Sequence, residues 1–130
     1  MAHDNFTLQV RYQHLIDRGV INAAFNKQVK CEFASIPMTR YFYGCCVQQT
    51  KHVYVNDALR WCPWFAIDEV LVHEGAHISK GYAYGFDDEN SDTHGPEFRQ
   101  FNHISVPSLR RGILLPLYFI GYLIKAIIGD

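Results

Sequence analysis

Apolar positions recur along this chain with a period that changes from helical to alternating and back again. Between Asn5 and Arg18, the residues Phe6, Val10, Leu15 and Ile16 fall at near-helical spacing, and Gly19 is a natural stop. The pattern predicts a helix, although Leu8-Gln9-Val10-Arg11-Tyr12 also alternates as a strand would. A second short helix is expected over Val20 to Phe25. Alternation then takes over. Val29 to Phe33, Arg40 to Gln48 around Gly44, and His52 to Val55 each read as a strand. Asn56-Asp57 closes the third and can cap a short helix over Ala58 to Trp61.

Beyond Pro63 the helical period returns. Ile67, Val70, Leu71 and Ala76 place apolar side chains three to four residues apart, which predicts a helix from about Phe65 to Lys80. Gly81 to Gly95 is rich in Gly, Asp, Asn and Ser and reads as a loop. Its acids do not follow the spacing of a calcium-binding EF-hand. Pro96 suits the first turn of a helix running to about His103. This order of elements predicts an α+β domain over residues 1–108. Its small sheet, about three strands and antiparallel or mixed, packs on helices, and an apolar helix follows at 109–130.

Composition narrows the partners rather than the fold. At 130 residues with 48% apolar and 19% charged side chains, the chain can bury a core. Its formal charge of −1 provides no general field for nucleic acid or an anionic membrane, so DNA is a partner that net charge does not support. The N-terminus lacks the basic and apolar regions of a secretory signal, and no Cys-x-x-Cys pair occurs among the four cysteines. A cytoplasmic setting with free thiols is expected.

The chemistry concentrates in the third helical segment, where His73-Glu74-Gly75-Ala76-His77 spells His-Glu-x-x-His. Side chains four apart share a helix face, so His73 and His77 can turn two imidazoles towards one ion. Glu74 is then near that ion without being a ligand, placed to take a proton from activated water. Two histidines alone also fit a buried amphipathic helix, so a third ligand is decisive. His94, 17 residues after His77, and Glu97, 20 after it, both have suitable chemistry. The metzincin continuation is excluded, because Lys80 and Ala83 stand where it needs Gly and His. His3, His14, His52 and His103 match no metal spacing.

With His94-Gly95-Pro96-Glu97-Phe98 following the first motif across a loop, the region from about residue 5 to 103 resembles the SprT-like metallopeptidase family. The resemblance implies a minimal zincin-like fold and a single catalytic Zn2+. By position, His73, His77 and His94 become its ligands and Glu74 the acid/base. Glu97 becomes a first-turn carboxylate or an outer support for the site. The implied activity is cleavage of peptide bonds in a protein substrate, with DNA-associated proteins as candidates because family members clear DNA–protein crosslinks. Tyr82 and Tyr84 are candidate oxyanion donors. One alternative is a metal-bearing scaffold that recognises DNA or protein without cutting, which an intact Glu74 argues against, and another is a membrane-tethered protein whose tail is the main functional element. The chain departs from the family pattern at Gly75, where a larger apolar residue is usual, and no zinc ribbon follows the motifs.

The resemblance stops before the tail. Thirteen of the 18 residues from Gly112 to Gly129 are apolar or aromatic, following Arg110-Arg111. A helix of that length spans ~27 Å against a hydrocarbon core of ~30 Å. A packed helix, a membrane anchor and a lipid-surface helix all fit the pattern, with Pro116 and Lys125 interrupting it.

Overall fold

The computed structural model describes residues 2–36, 43–88, 93–102 and 107–128 and, within the last segment, the side chains of 116, 117 and 119–128. It is an α+β arrangement of helices around a small mixed sheet. In chain order, α1 is Asn5–Asp17, α2 Ala23–Asn26, β1 Lys30–Ala34, β2 Gly44–Val47 and β3 His52–Asn56. A short 3-10 helix, Asp57–Leu59, leads to α3 (Trp64–Tyr84), α4 (Pro96–Arg99) and α5 (Pro107–Ile128).

Helix α1 begins at a capping box in which the Asp4 carboxylate accepts from the Thr7 backbone N–H at 2.8 Å. Its buried face is Leu8, Tyr12, Leu15 and Ile16, while Phe6 and Val10 are exposed. The spacing thus predicted the helix correctly but mixed two faces. Leu8 and Tyr12, which also suit an alternating strand, are four apart and form the inner stripe with Leu15 and Ile16.

The sheet has the order β1-β3-β2 among the described residues. β1 runs parallel to β3, pairing Cys31 with Val53 and Phe33 with Val55, and β2 runs antiparallel to β3, pairing Gly44 with Val55 and Cys46 with Val53. Cys31, Val53 and Val55 are buried, and helices α1 and α3 pack on the strands. The reading of a strand over Arg40 to Gln48 holds for Gly44–Val47, while Arg40, Tyr41 and Phe42 lie outside the described residues. Asn56 caps the 3-10 helix as expected, its side chain accepting from the Ala58 N–H at 3.0 Å.

Helix α3 runs four residues past the predicted stop at Lys80, through Gly81 to Tyr84. Helical Gly81 is explained by contact, since a Cβ there would meet Cδ of Gln48 at 2.9 Å. Two polar attachments hold α3 to α1 and α2. Arg11 grips Asp68 with paired bonds of 2.7 and 2.6 Å. Buried Tyr12, Asn26 and Ser79 form a chain ending on the Gly75 carbonyl: Tyr12 to Asn26 2.7 Å, Asn26 to Ser79 2.8 Å, Ser79 to Gly75 2.9 Å. With its polar atoms bonded, the chain orients α3 without a desolvation deficit.

The tail forms α5, which continues through Pro116 and docks on the 3-10 helix. Gly121 makes the approach close: a Cβ built there would collide with the Ala58 carbonyl oxygen. Tyr122 accepts from Asn56 at 3.1 Å and donates to the Ile36 carbonyl, and Lys125 bonds Asp57 at 2.8 Å. Lys125 therefore turns towards the domain instead of snorkelling at a bilayer. Among the described residues no helix is long and apolar enough to cross a membrane. Phe119, Ile120, Leu123 and Ile127 remain exposed on the outer face of α5.

Candidate metal centre

His73, Glu74 and His77 occupy the middle of α3, two turns beyond the point where Arg11 secures it. His94 stands opposite them. Nε2 of His73 lies 3.2 Å from Nε2 of His77 and 3.3 Å from Nε2 of His94, and the three ligand atoms all fall within 4.8 Å of one another. With each ring proton on Nδ1, the three Nε2 atoms carry lone pairs that can converge on one cation. Two nitrogens held ~2.0–2.1 Å from one tetrahedral ion stand roughly 3.3 Å apart. The donor set therefore fits a metal ion, and these three histidines lie close enough to bind one.

Phe98 is the residue the sequence reading passed over. This buried side chain of α4 sets its ring 5.0 Å from His73, 4.5 Å from His77 and 5.0 Å from His94, centre to centre. It backs all three imidazoles with one apolar surface. Pro96 at the start of α4 sets the turn that carries it. The signal lay in its position four residues after His94, but an aromatic there also reads as ordinary core.

Glu97, the competing ligand, is exposed in the first turn of α4 and outside the metal-binding group, where it complements the positive end of that turn. The structure does not bring Tyr82 and Tyr84 to the centre either. Tyr82 donates to the Gln49 carbonyl at 3.0 Å, Tyr84 accepts from Gln100 at 2.6 Å, and neither lines the cleft. Their hydroxyls are engaged at the helix end. His3 stacks on Trp64 and His52 on Tyr54, as packed histidines, while His103 lies outside the described residues.

The three histidines open into a cleft of about 330 Å3. Gly44, Cys45 and Cys46 of β2 form one wall, α3 the floor, and Asp87, Thr93 and His94 the opposite rim. Glu74, 5% exposed, lies beneath this wall. Gly44 permits the close approach, since a Cβ there would meet the Tyr54 carbonyl oxygen at 2.7 Å and Val70 at 2.8 Å. Burial, reinforced by the nearby Glu74 charge, pushes the Cys46 thiol well above its ordinary range. Cys46 is therefore a neutral thiol beside Glu74 in the cleft wall. All four cysteines are free.

No protein-family model, curated protein or solved structure matches this chain.

Proposed function

We propose that the protein is a zinc-dependent endopeptidase of the SprT-like type. The observation that carries this reading is the convergence of three imidazole Nε2 atoms beside a buried carboxylate in an open cleft. When bound, Zn2+ supplies Lewis acidity that makes water nucleophilic near neutral pH and polarises a carbonyl. His73, His77 and His94 would hold it as neutral ligands. Glu74, the carboxylate next to His73 in sequence, takes the proton of the attacking water and returns it to the departing amine.

The peptide character of the substrate is supported by β2. Among the described residues it is an edge strand, and it borders the cleft, so an extended segment finds backbone groups to pair with beside the reacting position. The likeness to SprT-like proteases extends the reading to proteins bound to DNA. Cleavage of a generic substrate such as casein, with and without single-stranded DNA, tests it on wild type and Glu74→Gln. Zinc-dependent cleavage that falls at least about 100-fold in Glu74→Gln is expected. Undiminished cleavage in that variant overturns the mechanism.

A further inference from the structure

We propose that Asp87 is a positioning carboxylate for the ligand His77, held in place by a buried bracket of Gln48 and Lys80. The inference rests on the metal-binding reading of the three histidines. Their Nε2 atoms face one another, so a neutral imidazole bound through Nε2 carries its proton on Nδ1. In His94, Nδ1 faces the Thr93 hydroxyl at 3.3 Å. In His77, Nδ1 faces Oδ2 of Asp87 at 3.8 Å. A movement of about 1 Å makes that a hydrogen bond between an N–H and a carboxylate.

Asp87 is bracketed far more firmly than a solvated loop acid requires. Gln48 donates to Oδ2 at 2.9 Å and to the His77 carbonyl at 2.7 Å, while its own Oε1 accepts from the Asp87 N–H at 2.8 Å. One glutamine thus ties the end of β2, the metal helix and the returning loop together. Lys80 takes the other carboxylate oxygen, Oδ1, as an ion pair. Gln48 and Lys80 are only 6% and 7% exposed, and removing an ammonium from water is costly unless its partner is fixed. The bare Gly81 leaves the room that Gln48 occupies. With Oδ1 engaged by Lys80, Oδ2 is presented to the ring, and Asp87 does not belong to the metal-binding group itself. A carboxylate so placed fixes the tautomer and direction of a ligand imidazole and raises its basicity.

The test measures the Zn2+ dissociation constant of the full chain by competition with a chromophoric chelator, in wild type, Asp87→Asn, Gln48→Ala and His73→Ala. Histidine side-chain 15N–1H spectra of the zinc-loaded protein are recorded alongside. Asp87→Asn is expected to bind zinc about 10- to 100-fold more weakly, with Gln48→Ala weakened in the same direction. In wild type the His77 Nδ1–H resonance should be shifted downfield and protected from exchange, and Asp87→Asn should remove both signatures. Wild-type zinc affinity together with an unchanged His77 resonance in Asp87→Asn overturns the inference. Should Asp87→Asn fail to fold, absence of a protected His77 Nδ1–H in the wild type overturns it equally. If instead His73→Ala keeps full zinc affinity, it is the metal reading that fails.

Discussion

The Tyr12 hydroxyl donates to Oδ1 of Asn26 across 2.7 Å, directly over the one backbone position in the His-Glu-x-x-His motif that has no side chain. A Cβ on Gly75 would lie 2.8 Å from that hydroxyl and 3.1 Å from Ile21. Glycine is therefore what allows α1 and α2 to close on α3 between the two histidines. In an unconstrained helix, Gly75→Ala would gain about 1 kcal/mol. Here it should destabilise the fold by ~1–3 kcal/mol, because Tyr12 must give up its buried bond. Urea midpoints decide the sign, and a stabilised variant would refute the contact.

Zinc should raise the melting temperature. A ligand that binds only the folded state at a hundred times its dissociation constant adds about 2.7 kcal/mol. That increment should appear in wild type and in Glu74→Gln, and vanish in His94→Ala. Calorimetry with and without a chelator distinguishes the three. A full zinc shift in His94→Ala would remove the third ligand from the site.

Phe98 supports the centre without offering it a ligand. Phe98→Ala should cost about 3 kcal/mol of stability and weaken zinc binding as well, since all three rings lose their common backing. Phe98→Leu should restore most of the stability. Unfolding curves and zinc titrations on both variants check this, and an alanine variant with wild-type affinity would show that the ring is mere filler.

The thiols should label in a fixed order. Cys45 is exposed, whereas Cys31 and Cys62 are buried and Cys46 is half-buried beside Glu74. Burial pushes the Cys62 thiol up to about 11 and Cys31 higher still, and burial with the Glu74 charge also raises Cys45. A raised thiol value means that the reactive thiolate appears only at higher pH. Iodoacetamide should therefore modify Cys45 first at pH 8, with a rate that keeps climbing beyond pH 9. Mass spectrometry identifies the site, and early modification of Cys46 would contradict the raising of its thiol by burial beside Glu74.

Docking of α5 hinges on Gly121. Any side chain there collides with the Ala58 carbonyl, and backbone cannot yield as a flexible side chain does. Gly121→Val should release the helix, freeing Lys125 from Asp57 and making the bond after it a trypsin site. Stability should fall by ~3 kcal/mol as the 3-10 helix loses its cover. Unchanged resistance to trypsin would show that α5 does not pack through this glycine.

Much of the fold was legible in local pattern, because helical spacing, alternation and capping residues act within a few positions. His73, Glu74 and His77 are brought together by a single helical turn, so four residues of spacing suffice to bring two imidazoles onto one face. The inner face of α1 was less legible, since an apolar residue such as Phe6 or Val10 can remain outside without penalty large enough to disturb the helix.

What the linear order left open concerns residues far apart in the chain. His94 and Glu97 were both admissible as the third ligand, and only the tertiary arrangement brings the first to His73 and leaves the second in solvent. Whether the tail was to cross a bilayer or lie on the domain depended on a glycine meeting Ala58, a contact between positions 63 residues apart. The same holds for Asp87, whose distance from His77 depends on Gln48 of a different element. Local periodicity states which side chains a segment can present. Which of them meet is set by how the segments pack, and that depends on the whole chain closing at once.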